Sequence, residues 1–320
     1  MRGSLRKAVL SAVLTALLPA AAIASAKDLL ASGQVDKAIP VLEKQISASN
    51  TDAESHNLLC RAYFMIGEWD SGIQSCERAR DLDPQKSLYH LWLGRIYGEK
   101  ADRAGVFAAA GLAKKVRSSF ERAVELDPKN WEARTDLAEF YFEAPGIVGG
   151  SKDKARAQAE ALMRLNPGMA HWVLGRIAEK NKDMDAAEHE YRAGIAATQS
   201  GIRAYFDYAS FLRRANRLDD MVVALRQLES GPIDRPESLM DGASLLLRTE
   251  REYALAVRLL RRYFAYGPVE EGPAFKAHNL LGQLLEKQGD RRAAADEYRA
   301  ALALFHNYKP AAENLKRVEH

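Results

Sequence analysis

The stretch "FKAHNLLGQLLEKQGDRRAAADEYRAALALFH", residues 275–306, decides how the rest of the chain is read. It holds two amphipathic runs of about thirteen residues, with a turn centred on Gly289 between them. Large apolar residues recur in both runs at helical spacing, which predicts two helices folded back on each other. The same pattern aligns without gaps with residues 53–84, 168–199 and 202–233. Small residues return at fixed places, Gly175 and Gly282 in the first run, Ala187 and Ala294 in the second. Antiparallel helices approach closely only where side chains are small. One such hairpin cannot bury its apolar face alone, so neighbouring copies must stack into an array.

In detail the repeat resembles the tetratricopeptide repeat (TPR), a unit of 34 positions. Leu93-Gly94, Leu174-Gly175 and Leu281-Gly282 fill positions 7–8, and Tyr63, Tyr97 and Tyr141 fill position 11. Gly33, Gly67 and Gly289 fill position 15, Phe120, Tyr191 and Tyr298 position 24, and Pro84, Pro128 and Pro167 position 32. Ala38, Ala155, Ala187, Ala256 and Ala294 fill position 20. The resemblance implies an all-α solenoid of about eight helix-turn-helix units over residues 27–318, with "YKPAAENLKRV" (308–318) as a polar-faced C-terminal capping helix. Unit 7, near 237–267, departs from the pattern: Ala243-Ser244 replaces Leu-Gly, and Arg251 stands where Gly is favoured.

Residues 1–26 read as an export signal. Arg2, Arg6 and Lys7 precede an apolar run, and Ala24-Ser25-Ala26 is a small-x-small cleavage site, so the mature chain is expected to begin at Lys27. This cut shortens the first helix of unit 1 to a stub. The leader carries three basic residues and no acidic one, so the remainder holds 43 of each sign. A neutral mature chain gives generic nucleic-acid binding no electrostatic support. The expected location is the periplasm, with secretion less favoured, and no stable membrane insertion is expected after cleavage.

The most enzyme-like stretch is "EAPGIVGGSKDKA", 143–155. A phosphate loop needs GxxxxGK[ST] after a strand. Here the spacing is GxxGGSK after a helix, so it reads as an elongated turn with Ser151 capping the helix that follows. It is the second of two insertions, near 101–110 and 145–150, in adjacent units on one rim. Together they are a plain pair of bends or a lobe that contacts a partner. His56, His90, His171 and His278 share position 4, a packing position, and no metal is expected there. No HExxH, CxxC or GxSxG is present, so neither an enzyme nor a cofactor is expected. Cys60 and Cys76, at positions 8 and 24 of unit 2, are either two small core residues or a disulfide.

In proteins of this resemblance, positions 2, 5, 9, 12 and 13 face the concave groove. Position 9 reads Arg61, Arg95, Glu139, Arg176 and Ser210 through units 2 to 6, and position 5 reads Asn57, Leu91, Thr135, Trp172 and Phe206. Arg213 and Arg214 follow at 12 and 13 of unit 6. Guanidinium groups mixed with aromatic rings are enriched at binding hot spots. The expected function is a non-catalytic interaction scaffold or assembly factor of the bacterial envelope. It would hold an extended or acidic segment of another protein in the groove. The alternative is a glycan-binding accessory of polysaccharide export.

Overall fold

The computed structural model describes residues 25–320. The expected leader lies outside the described residues except for Ser25 and Ala26. From there the chain is a run of helical hairpins. They are α1 (Ala26–Ala31) with α2 (Val35–Ala48), α3 (Ala53–Ile66) with α4 (Trp69–Leu82), α5 (Ser87–Ala101) with α6 (Val106–Leu126), and α7 (Trp131–Glu143) with α8 (Lys152–Leu165). There follow α9 (Pro167–Lys180) with α10 (Met184–Ala197), α11 (Ile202–Arg214) with α12 (Leu218–Arg226), α13 (Glu237–Arg248) with α14 (Tyr253–Tyr266), and α15 (Ala274–Lys287) with α16 (Arg291–Leu304). One further helix, α17 (Lys309–Glu319), covers the last hairpin. The eight hairpins and the cap match the architecture expected from the repeat.

Side-chain size sets each hairpin. A β-carbon on Gly94 or Gly282 would collide with the ring of Phe120 or Tyr298, and one on Gly175 would sit 3.0 Å from Tyr191. Position 8 must therefore be small because position 24 is a ring. Unit 2 meets the same requirement with a covalent link: Cys60 on α3 and Cys76 on α4 form a disulfide. Tyrosines then tie units together. Tyr141 donates to Glu121 at 2.8 Å and Tyr208 to Glu188 at 2.6 Å, and Tyr97 donates to Glu77; each partner lies 20 residues upstream, in the preceding hairpin.

Three of the four histidines of position 4 have hydrogen-bonding partners, while the Nε2 of the buried His56 has none among the described residues. His171 meets Glu190 at 2.8 Å and His278 meets Glu297 at 2.6 Å, each within its own hairpin. His90 is buried with its Nε2 3.0 Å from the Pro84 carbonyl. Among the described residues no group of three or more potential ligands is assembled for a metal, and no helix is long and apolar enough to cross a membrane.

α1 is a six-residue stub, started by a capping box between Ser25 and Asp28. A cut after Ala26 removes that cap but leaves Leu29 and Leu30, which are buried. These two belong to a core that spans the ends of the chain, containing Val35, Leu42 and Leu58 together with Phe275, Ala301 and Ala311. Phe275, fully buried, stands 5.5 Å from the Phe305 ring and 4.9 Å from Tyr308. Gly33, in the α1–α2 turn at φ 70°, lies so close to α15 that a β-carbon would be 2.8 Å from the Ala274 nitrogen. Asp36 accepts from the backbone N–H of His306 at 2.7 Å, and its carboxylate lies 2.7 Å from the His306 ring. The first hairpin thus docks on the last, which closes the concave groove expected from the sequence into a ring with an inner channel.

The insertions differ from each other. The first adds length to α6, which runs 21 residues where α4, α8, α10, α14 and α16 run 14. Its Ala-rich sequence favours helix over loop. The second is a 3-10 turn, Gly146–Val148, after which Ser151 caps α8 by accepting from the Lys154 N–H.

Candidate binding site: the inner channel

The channel wall is built from the first helices of the hairpins, because these line the concave side of a stacked array. Two joined chambers open within it. One, of about 240 Å³, is lined by Arg61, Phe64, Trp92, Arg95, Glu270 and Lys276 among others. The other, of about 280 Å³, is lined by Arg95, Trp131, Asp136, Glu139, Trp172 and Arg203 among others. Arg95, Glu132 and Arg235 border both.

Most of the wall's cations are answered by the chain itself. Arg61 makes a two-point ion pair with Glu270, its Nε 2.7 Å from the carboxylate, across the seam that closes the ring. Arg95 donates to Asp136 at 2.6 Å and to Glu132 at 2.9 Å. The ring of Trp92 lies between these two arginines, 5.1 Å from the Arg61 guanidinium and 5.0 Å from that of Arg95. Arg203 grips Asp207 with its Nε 2.9 Å from both oxygens. Arg235 pairs with Glu237 and lies 5.6 Å from the Trp131 ring. Burial alone would lower the Arg95 guanidinium, but Asp136 and then Glu132 outweigh it and hold it above its ordinary value.

Three groups of the wall have no ion-pair partner among the described residues: Lys276, Glu139 and Glu271. Glu139 is reached by water in the channel, yet the surrounding walls strip it of bulk solvent. This desolvation, reinforced by Asp136 and Glu143, pushes its carboxyl up to about 7. Desolvation likewise pushes Asp241, beyond Arg203, up to about 6. It raises Glu271 and lowers Lys276. Each of these four is held toward its neutral form for lack of a close counter-ion.

The residues expected in the groove separate into five settings. Arg61, Arg95, Glu139 and Trp172 face the chambers. Arg176 and Arg214 lie farther round the wall and share Glu179, Arg214 at 2.7 and 2.8 Å and Arg176 at 3.3 Å, with Arg176 also 2.6 Å from Glu143. Asn57 and Leu91 are 2% and 1% exposed, so they build the wall and do not line it. Phe206 is half-buried against the core of units 5 to 8, and Arg213 is exposed outside both chambers. Glu132, Arg203 and Lys276 were not singled out by the sequence, although all three stand at position 2, which faces the groove. Glu270, Glu271 and Arg235 come from connections with no repeat position to mark them.

The repeat is matched by family models as well. A tetratricopeptide repeat model matches residues 29–96, and a second model of the same repeat matches 148–202 and 241–312. The chain is 25% identical over 194 residues, 49% of its length, to the Superkiller complex protein 3 of Mus musculus, and the match spans 12% of that protein. The yeast Tom70 structure has TM-score 0.54 at 17% identity, covering 89% of this chain and 58% of that one. A thermophilic TPR protein of Thermus thermophilus has TM-score 0.49 at 18% identity, over 58% of this chain and 95% of that one. Matched over well over half its length by repeat models and folded as stacked helical hairpins, the chain belongs to the tetratricopeptide repeat family, whose fold serves generally as a scaffold for protein–protein interaction.

Proposed function

We propose that this protein is a non-catalytic scaffold of the bacterial envelope that holds a short extended segment of another protein in its inner channel. The observation that carries this reading is the pairing pattern of the wall. Lys276 in one chamber and Glu139 in the other lack ion-pair partners, with Trp92, Trp131 and Trp172 nearby. A segment presenting a carboxylate to Lys276 and a cationic or amide group to Glu139 supplies what each lacks. The half-buried rings of Trp131 and Trp172 add apolar surface for its side chains, whereas Trp92 is already held between Arg61 and Arg95. Chambers of about 240 and 280 Å³ admit side chains, not a folded domain. The extended or acidic segment expected from the groove is narrowed accordingly. Drawing Arg61 or Arg95 to a partner first breaks a half-buried pair.

Two observations support the compartment. The Cys60–Cys76 disulfide suits an oxidising environment, and residues 1–26 have the composition of an export leader. Affinity capture from envelope extract tests the reading, with the chain from Lys27 compared with its Lys276→Glu/Glu139→Lys variant. A protein recovered by the wild type and lost by the variant supports it. Recovery unchanged by the variant moves the site out of the channel. Polysaccharide retained with no protein favours the glycan-binding alternative.

A further inference from the structure

The two insertions leave an apolar and cationic surface that the channel does not explain. The second helices of most other units have 14 residues, whereas α6 has 21. The seven extra residues carry its N-terminal end about 10 Å further along the helix axis. The end is apolar and bare: Val106 is 83% exposed and Phe107 96%. Ile147, in the turn of the second insertion, is 91% exposed. The insertions touch, since the Arg117 Nη1 of α6 donates to the Val148 carbonyl at 3.3 Å. Phe107, Gly111, Lys114 and Ser118 are all exposed and recur at intervals of four, three and four, so they form one stripe of α6. Phe107 leads the stripe and Lys114, with Lys115 beside it, follows about two turns behind. Residues 102–117 and 145–156 hold seven basic side chains against two acidic ones, Asp102 and Asp153, although the chain from Lys27 is neutral as a whole.

We propose that this rim docks the protein on an anionic lipid bilayer. Phe107 and Val106 enter the interface, and the lysines behind them meet lipid phosphates. A protruding apolar end offers no hollow for a folded partner to fill. A fluid bilayer needs no complementary shape, and flanking lysines supply the charge attraction that a few apolar groups need for binding. The separation of about 10 Å between Phe107 and Lys114 along the helix fits an apolar end at the acyl boundary with ammonium groups at headgroup level. The inference is independent of what the channel binds.

Vesicle sedimentation tests it, using the chain from Lys27 with phosphatidylethanolamine–phosphatidylglycerol vesicles and with phosphatidylcholine vesicles. The wild type is expected to sediment with the anionic vesicles only, and less as salt is raised. Val106→Ser/Phe107→Asp and Lys114→Glu/Lys115→Glu are each expected to cut binding about tenfold or more. Both pairs are exposed, and unchanged circular dichroism verifies folding. The proposal is overturned if the wild type binds neither vesicle, if it binds both equally, or if neither variant changes binding. It is also overturned if a protein captured from extract depends on Phe107 while vesicles do not.

Discussion

The inner wall and the outer rim of this ring treat exposed chemistry in opposite ways. Inside, Arg61, Arg95 and Arg203 are each matched by a carboxylate of the same chain, and the tryptophans lie under guanidinium groups or against other rings. At the rim, Val106, Phe107 and Ile147 touch little, and Lys114 has no counter-ion among the described residues. A self-paired wall is stable in water and selective, because a partner must match the few groups left over. An unpaired rim is a surface whose complement lies outside the chain. The two proposals accordingly place specificity in the channel and location at the rim.

The comparison depends on the ring being closed, so the largest effect is expected at the seam. Phe275→Ala removes the fully buried ring that joins the first and last hairpins. It should cost about 3–5 kcal/mol, measured by chemical denaturation, and should expose the channel to proteolysis. A loss below about 1 kcal/mol would mean that the ends are not packed together. Replacing Cys60 and Cys76 by serine opens a covalent loop of 16-residue separation and should cost about 3 kcal/mol. Arg61→Ala breaks the two-point pair with Glu270, leaves a half-buried carboxylate unpaired at the seam, and should cost about 1–2 kcal/mol. Its effect should vanish in a Phe275→Ala background if the ring is already open.

Two carboxylates sharpen the contrast through pH. Glu139 is raised to about 7, so the folded protein binds its proton more tightly than the unfolded chain, and stability falls as pH rises from about 4.5 through about 7. Glu188, which accepts from Tyr208 and pairs with Arg217 and Arg192, is lowered to about 2. Its contribution is present above about 4.5 and is lost as pH falls toward about 2. Glu139→Gln should flatten the first slope and leave the second, read from melting temperature against pH. The reverse would place the strained acid outside the channel.

The hairpins were legible because their rule is local. Gly282 and Tyr298 lie 16 positions apart in one unit, and a small residue opposite a ring is a pattern that a single sequence displays. The cap at Ser151 was legible for the same reason. The seam was not, because Leu30 and Phe275 come into one core only after the small rotation of every intervening unit has accumulated. The wall was half legible. Position 9 gave Arg61, Arg95 and Glu139, but no repeat position foretells that Glu270 crosses the ring to meet Arg61. Nor did the sequence show that its arginines would be answered from within. Opposite charges were present in equal number, and pairing depends on which of them the closure brings together.

The most direct test of the account is whether the first hairpin touches the last. Asp36→Cys/His306→Cys, in a chain whose Cys60–Cys76 bond is kept, places two thiols where a carboxylate now lies 2.7 Å from an imidazole. Treatment of the monomer with a short bismaleimide is expected to join residues 36 and 306 in high yield, as read by peptide mass mapping. The same linkage should fall sharply in Phe275→Ala. Failure to join the two in the wild-type background would contradict the closed ring and return the molecule to an open groove.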